Sequence, residues 1–498
     1  MSTVPVKVKH NGQVYEVELN TLAQGRAFKE AIALQTQVPP ERQKVMIKGG
    51  LLKFMVLGTA GDLPQAPSKP IQFMEDMQDD ELARASNQKV GLINLGQTCY
   101  LNSTLQLLRC IPELNKALDA YSGNINASDG DASLTAALRD LFREMDKTSK
   151  PFPPLLFLTV LRKVAPQFAE MAQGGGGYAQ QDAEEVYVRI LNALGNYLPS
   201  VNGQERFVPE NLTGRMTIKR SCAEADQEPE TQSTDPFLAL QCNISSSTND
   251  MIAGILDTLT QRIEKHSEQL GRTAVYTEQS RIARLPIYLS VHFVRFYWRR
   301  DINKKTKIMR KVKFPMELDA SVFASDELKS RVSPLSQKIK LVAKEREERA
   351  KVRRRVKALG HSQAAPSDSQ DDKQETTQQG AAISDDEERS LRQKEREDLA
   401  SSIDPDLKLD AGCNPSGLYD LAAIVTHKGA AADAGHYMSW VRKENDSRDE
   451  FDTMPSEEWY QFNDDKVSVV NTEKITTLYG GGEDSVAYIL LYRARSLQ

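Results

Sequence analysis

The chain contains no apolar run approaching the roughly 18 residues that a membrane-spanning helix needs, so a soluble protein is expected. Cysteine is scarce. The five present, at 99, 110, 222, 242 and 413, are odd in number and lie far apart, with no CxxC pair. A disulfide framework calls for an even count, and a structural zinc site for four ligands, commonly in CxxC pairs. Reduced thiols, no metal and no other cofactor are therefore expected. The opening MSTVPVKVKHNGQVYEVELN alternates polar and apolar residues and lacks the continuous apolar core of a secretory signal, which predicts an intracellular protein. There is no basic excess either. A formal net charge of -5 gives no reason to expect nucleic acid as a partner. No internal repeat is evident.

What is present has a globular balance, 40% hydrophobic and 27% charged, and 498 residues suffice for several domains at roughly 100 to 200 residues each. Val4, Val6 and Val8 alternate before Asn11-Gly12, and Val14, Val17 and Leu19 follow it, which predicts a hairpin. A helix is expected near Arg26 to Thr36 with Phe28, Ile32 and Gln35 on one face, ended by Pro39-Pro40. A strand over Arg42 to Lys48 then turns Val45 and Ile47 inward. From Gly58 to Lys89 the chain is rich in Pro, Gly, Asp and Gln without periodicity. These features predict a small domain over 1–75, a linker over 76–89 and a larger domain over 90–498. About 336–404, a basic stretch, a polar aromatic-free stretch and an acidic stretch succeed one another, which reads as a charged surface helix plus a disordered loop.

The stretch GLINLGQTCYLNSTLQLLRCI, residues 91 to 111, carries the strongest chemistry. A glycine-punctuated loop leads to Cys99, and Leu101, Leu105 and Leu108 follow at helical spacing, so Cys99 opens a helix. Unpaired N–H groups and the positive dipole end there favour a thiolate. Asn94, in the same loop, is in a position to donate to an oxyanion. A lone cysteine at a helix start is nevertheless more often an ordinary core residue. A base to accept its proton is sought among six histidines. His436, opening the alternating HYMSWV, and His427, nine residues earlier, are the candidates; His10 and His361 read as exposed, His266 as part of a charged helical stretch and His292 as a structural strand residue. A third group to orient the imidazole is available in WYQFNDDKVSVV as Asn463 or Asp464, with Trp459 and Phe462 as core anchors.

GLINLGQTCYLN closely resembles the cysteine box of the ubiquitin-specific proteases, with Gln97 where Asn is common. AGHYMSWV is similar to the family's histidine box, which selects His436 over His427, and the segment around Phe462 then places Asn463 as the orienting residue with Asp464 as alternative or auxiliary. GGGGYAQQDAEEVYVRIL, residues 174 to 191, is similar to the family's glutamine-glutamine-aspartate box. There the resemblance makes Gln181 and Asp182 contacts for the ubiquitin tail, and it adds Tyr437 beside the base. LPIYLSVHFVRFYWRRDINKKTKIMRKVKFP, residues 285 to 315, resembles the palm segment and reads as a strand pair. Many relatives carry paired zinc cysteines in the fingers; the single Cys222 and Cys242 imply a metal-free version.

The resemblance implies an α+β, papain-like catalytic domain of thumb, palm and fingers, which cleaves isopeptide bonds after the ubiquitin C-terminal glycine through a thioester. The order strand, strand, helix, strand at the front, with PPERQKVMIKGG and FMVLGTAGDLP, resembles the β-grasp ubiquitin-like domain of the proteasome-associated branch. It is shortened here, because Gly49 to Lys53 runs directly into Phe54 to Leu57. The partners so implied are ubiquitin, ubiquitinated proteins and the proteasome regulatory particle, and the location is cytoplasm and nucleus. A reading from another class is a non-catalytic ubiquitin-like adaptor of the proteasome.

Overall fold

The computed structural model describes residues 3–47, 53–58, 89–172, 176–200, 206–224, 228–299, 304–362, 384–429, 435–445, 451, 455–482 and 485–496. The chain divides into two compact units, Met1–Met77 and Gln78–Gln498. The expected linker falls largely on 59–88, outside the described residues.

In the first unit, β1 (Thr3–His10) and β2 (Gln13–Asn20) pair antiparallel across Asn11-Gly12, where both residues have positive φ. Helix α1 (Gly25–Thr36), β3 (Lys44–Ile47) and β4 (Lys53–Leu57) follow. The sheet order is β2-β1-β4-β3, with β1 and β4 parallel and the other pairs antiparallel. Val6, Val8, Val17, Ile32 and Val56 form its core, so the shortened sequence still closes a sheet around an apolar centre. One inward assignment fails. Ile47 is 76% exposed; β3 is an edge strand, where a side chain has neighbours on one flank only. His10 is buried rather than exposed, because β1 is a central strand, and its Nδ1 lies 3.1 Å from the Val56 carbonyl.

The second unit begins with a helical lobe, α2 (Cys99–Arg109), α3 (Pro112–Ala120), α4 (Gly130–Met145), α5 (Leu155–Val164) and α6 (Ala183–Tyr197). Leu101, Leu105, Leu138, Leu161 and Leu194 share one core. Asp129 caps α4 and Asp182 caps α6, each carboxylate accepting from first-turn N–H groups that have no helical partner. A polar antiparallel sheet of order β6-β5-β9-β8 comes from β5 (Gly214–Cys222), β6 (Thr231–Phe237), β8 (Thr260–Ser267) and β9 (Arg272–Arg284). His266 stands in β8, not in a helix; TQRIEKHS is polar throughout except at Ile263, so its sequence carries no strand period.

The largest sheet runs β17-β16-β15-β14-β18-β10-β7, with β13 beside β14. Its strands are β7 (Ala239–Asn243), β10 (Tyr288–Val294), β13 (Glu317–Asp319), β14 (Leu418–Lys428), β15 (His436–Arg442), β16 (Glu458–Asn463), β17 (Lys466–Asn471) and β18 (Val486–Ala494). The expected strand pair forms as the hairpin of β11 (Phe296–Arg299) and β12 (Lys304–Lys307). Trp440 and Trp459 are buried in the second large core, and Phe462 is buried too, so the anchors of the β16 turn hold as expected.

The charged insertion contains more structure than its composition suggests. Helix α7 (Asp326–Ser362) starts before the expected boundary at 336, and α8 (Asp385–Ser401) opens on a capping box of Ser384 and Glu387. Leu335, Ile339, Val342, Leu399 and Leu418 cluster beneath them. Glu388, fully buried, meets Arg349, Arg353 and Arg392, while Glu395 meets Arg346 and Arg349. Residues 363–383, where a loop is expected, lie outside the described residues.

Candidate active site

Cys99 is the first residue of α2, and Thr98 precedes it as N-cap. Helix α2 packs against β15, whose first residue is His436. The imidazole Nε2 of His436 lies 2.6 Å from Asn463 Oδ1, at the end of β16. Since an amide oxygen only accepts, Nε2 carries the proton and Nδ1 is left as the basic nitrogen. Of the two candidates, Asn463 is the one that hydrogen-bonds the imidazole.

Asp464 does different work. It sits with φ +52° in the two-residue connection from β16 to β17, and its carboxylate accepts from Asn94 Nδ2 (2.9 Å) and Asn102 Nδ2 (2.8 Å). Its carbonyl accepts the N–H of Leu92 at 2.9 Å. One aspartate thus fastens the cysteine loop and the cysteine helix to the β-sheet. A Cβ on Gly91 would overlap the Asp465 carbonyl, which explains a glycine where loop and turn meet. Asn94 spends its carbonyl on the N–H groups of Gly96 (3.0 Å) and Thr98 (3.2 Å), so its first duty is to shape the loop that delivers Cys99. Gln97 adopts φ +56°, a conformation Asn tolerates better than Gln.

The expectation of an easily ionised thiol needs correction. Cys99 is only 2% exposed, and burial pushes its thiol up to about 11, with the Asp464 carboxylate adding to the rise. The peptide N–H groups of Tyr437, Tyr100 and Cys99 pull the other way without prevailing. Helix position alone does not make a thiolate when desolvation is larger.

The predicted tail contacts are equally informative. Asp182 accepts from Glu184 N–H (2.9 Å) and from the Tyr488 hydroxyl (2.7 Å), a structural anchor at the mouth of α6. Gln181 is partly buried beside it. Tyr437 is buried, its ring 4.7 Å from that of His427. His427, the rejected base, is fully buried in β14. Burial first, then the Lys307 ammonium, lowers its pKa to about 3. Lys307 Nζ reaches His427 Nδ1 (3.0 Å), His427 O (2.7 Å) and Gly429 O (3.0 Å), and is itself lowered to about 7, chiefly by burial. A neutral His427 accepts that lysine and cannot serve Cys99. His292, as expected, is structural: its Nδ1 lies 2.8 Å from Gln241 Oε1.

Sequence reasoning missed Gln180, whose side chain reaches the Cys99 sulfur, and Lys307. The first had a signal, standing in the same glutamine pair as Gln181; the second is one lysine among many in KKTKIMRKVK. Among the described residues, no group of three or more His, Cys, Asp and Glu side chains stands together as a metal site. Cys222 instead packs with Ala274 and Tyr276, and Cys242 faces the Met251 carbonyl.

Residues 90–492 match the family described as Ubiquitin carboxyl-terminal hydrolase. Over 99% of both chains, the protein is 41% identical to ubiquitin carboxyl-terminal hydrolase 6 of Schizosaccharomyces pombe. It is 36% identical to ubiquitin carboxyl-terminal hydrolase 6 of Arabidopsis thaliana over 98% of each, and 30% identical to ubiquitin carboxyl-terminal hydrolase 14 of Caenorhabditis elegans over 99% of this chain and 94% of that one. Among solved structures, it is similar in fold to the SAGA Ubp8/Sgf11/Sus1/Sgf73 DUB module bound to ubiquitin aldehyde, with TM-score 0.50 and 20% identity, covering 82% of this chain and 70% of that one. The chain belongs to the ubiquitin carboxyl-terminal hydrolase family and is a cysteine-type deubiquitinase.

Proposed function

We propose that this deubiquitinase hydrolyses isopeptide bonds at the C-terminal glycine of ubiquitin with Cys99 as nucleophile, His436 as general base and Asn463 as its orienting partner. Cys99 gives its proton to His436 and attacks the carbonyl; the amine leaves with that proton, and water then hydrolyses the thioester. Asn94 and backbone N–H groups near Cys99 stabilise the oxyanion, and Asp464 is auxiliary, holding the loop that carries them. The contact that carries the reading is His436 Nε2 with Asn463 Oδ1 at 2.6 Å, made on the strand against which the Cys99 helix packs. Substitution of Cys99 or of His436 by Ala is expected to abolish release of a fluorophore amide-linked to the ubiquitin C-terminus. Activity retained in Cys99→Ala would overturn the assignment.

The first unit, in this reading, is a ubiquitin-like domain over 1–75 that docks the enzyme on the proteasome regulatory particle, followed by a linker to 89 and the catalytic domain over 90–498. Its support is the mixed sheet of order β2-β1-β4-β3 crossed by one helix in sequence between β2 and β3, together with the resemblance of its segments. The enzyme then works in cytoplasm and nucleus, wherever proteasomes take up substrates, and recovers ubiquitin there. Deleting residues 1–75 should abolish co-sedimentation with purified proteasomes; undiminished co-sedimentation refutes the docking role.

A further inference from the structure

Gln180 lies just before α6, in a segment held by Ala179 N–H on the Glu170 carbonyl (2.8 Å) and by the capping contacts of Asp182. Its side chain touches two elements at once. Nε2 donates to the Cys99 sulfur at 3.6 Å, an ordinary distance for a hydrogen bond to sulfur, and Oε1 accepts the N–H of Gly435 at 3.1 Å. The second contact fixes the first. An amide whose oxygen is occupied by an N–H donor must turn its nitrogen the other way, and here that way is toward the thiol. Gly435 is itself set in place, because a Cβ there would overlap Nε2 of the buried His427. A continuous line of contacts therefore runs from His427 through Gly435 and Gln180 to the nucleophile, and Gly435 is the residue before His436.

Building on the assignment of Cys99 as nucleophile, we propose that Gln180 is a further catalytic residue, whose amide N–H stabilises the Cys99 thiolate while its carbonyl keeps the His436 strand in register with the sulfur. The chemistry needs such a group. When the Cys99 S–H proton passes to His436, the negative charge left on sulfur sits in a buried site, where each hydrogen bond to the charged form counts for more than in water. Among the described residues, Gln180 supplies the side-chain donor at that sulfur. Gln181, its neighbour in the pair, makes no such contact with the thiol.

The test is Gln180→Glu, which keeps the shape and an acceptor for Gly435 N–H but replaces the donor by a negative charge, beside Gln180→Met, which keeps length without polarity. Alkylation of Cys99 by iodoacetamide, followed at pH 8.5 by mass of the Cys99 peptide, reads the thiolate without any ubiquitin. A fivefold or greater slowing in both variants, with unchanged melting temperature, is expected. On a fluorogenic ubiquitin substrate kcat should fall tenfold or more with KM within about twofold, the split that marks loss of a transition-state interaction. Alkylation at the wild-type rate, or a rise in KM with kcat unchanged, overturns the proposal. Should Gln180→Glu fail to fold, Gln180→Met decides by the same two readouts. Failure of the nucleophile assignment itself would show separately, as hydrolysis surviving Cys99→Ala.

Discussion

At the scale of single residues, the site is governed by a division of labour between two neighbours. Asn463 makes the hydrogen bond to the His436 imidazole, while Asp464 fastens the cysteine loop and helix through Asn94 and Asn102. Asn463→Ala should therefore lower kcat tenfold or more with little change in KM, because the ring loses its preferred tautomer and direction. Asp464→Ala should lower kcat as well, but with faster backbone hydrogen exchange at Leu92 to Thr98, which Asn463→Ala leaves unchanged; hydrogen-exchange mass spectrometry separates the two. Sequence motifs named both residues but not their separate duties, since the pairing of Asp464 with residues some 360 positions away is set by the fold. For the thiol, position at a helix start is local and legible, whereas the desolvation that opposes ionisation is tertiary. Cys99 holds its proton more tightly in the folded protein than in the unfolded one. The stability this contributes is full below the ordinary value of 9.0 and is lost as pH rises through about 11. The alkylation rate of Cys99 should climb with pH well past 9, and a plateau below pH 8 would contradict this account.

At the scale of elements, amphipathic segments were readable, whereas in the charged insertion a surface helix was legible and its partnership with a second helix was not. The β1–β2 hairpin, the Cys99 helix and the β10 strand announce themselves by their periods. The pair α7–α8 does not, because its contacts are ionic: Glu388 is enclosed by arginines from both helices, and composition alone cannot distinguish such a partnership from a solvated run of charge. Removing one partner of a buried ionic cluster leaves the others uncompensated, typically at a cost of about 3 kcal/mol or more. Glu388→Ala should therefore open this helical pair, giving earlier trypsin cleavage within 346–355, while hydrolysis of a ubiquitin substrate remains near wild type. Unaltered cleavage kinetics would mean that the apolar cluster at Leu335, Ile339 and Leu399 suffices to hold it.

At the scale of the whole molecule, the order of motifs along the chain carried the family, and the fold accounts for their distance apart. Cys99 belongs to the helical lobe, His436 and Asn463 to the sheet lobe, and the charged helices are spliced in at the surface between them in sequence. Catalysis in this account depends on one buried sulfur being brought to one imidazole by the packing of α2 on β15. The most direct measurement is reaction of the purified full-length chain, with and without proteasomes, with ubiquitin bearing a C-terminal electrophile, followed by peptide mapping of the adduct. The account predicts a single adduct on Cys99, absent from Cys99→Ala. An adduct on another cysteine, or none under either condition, would contradict it.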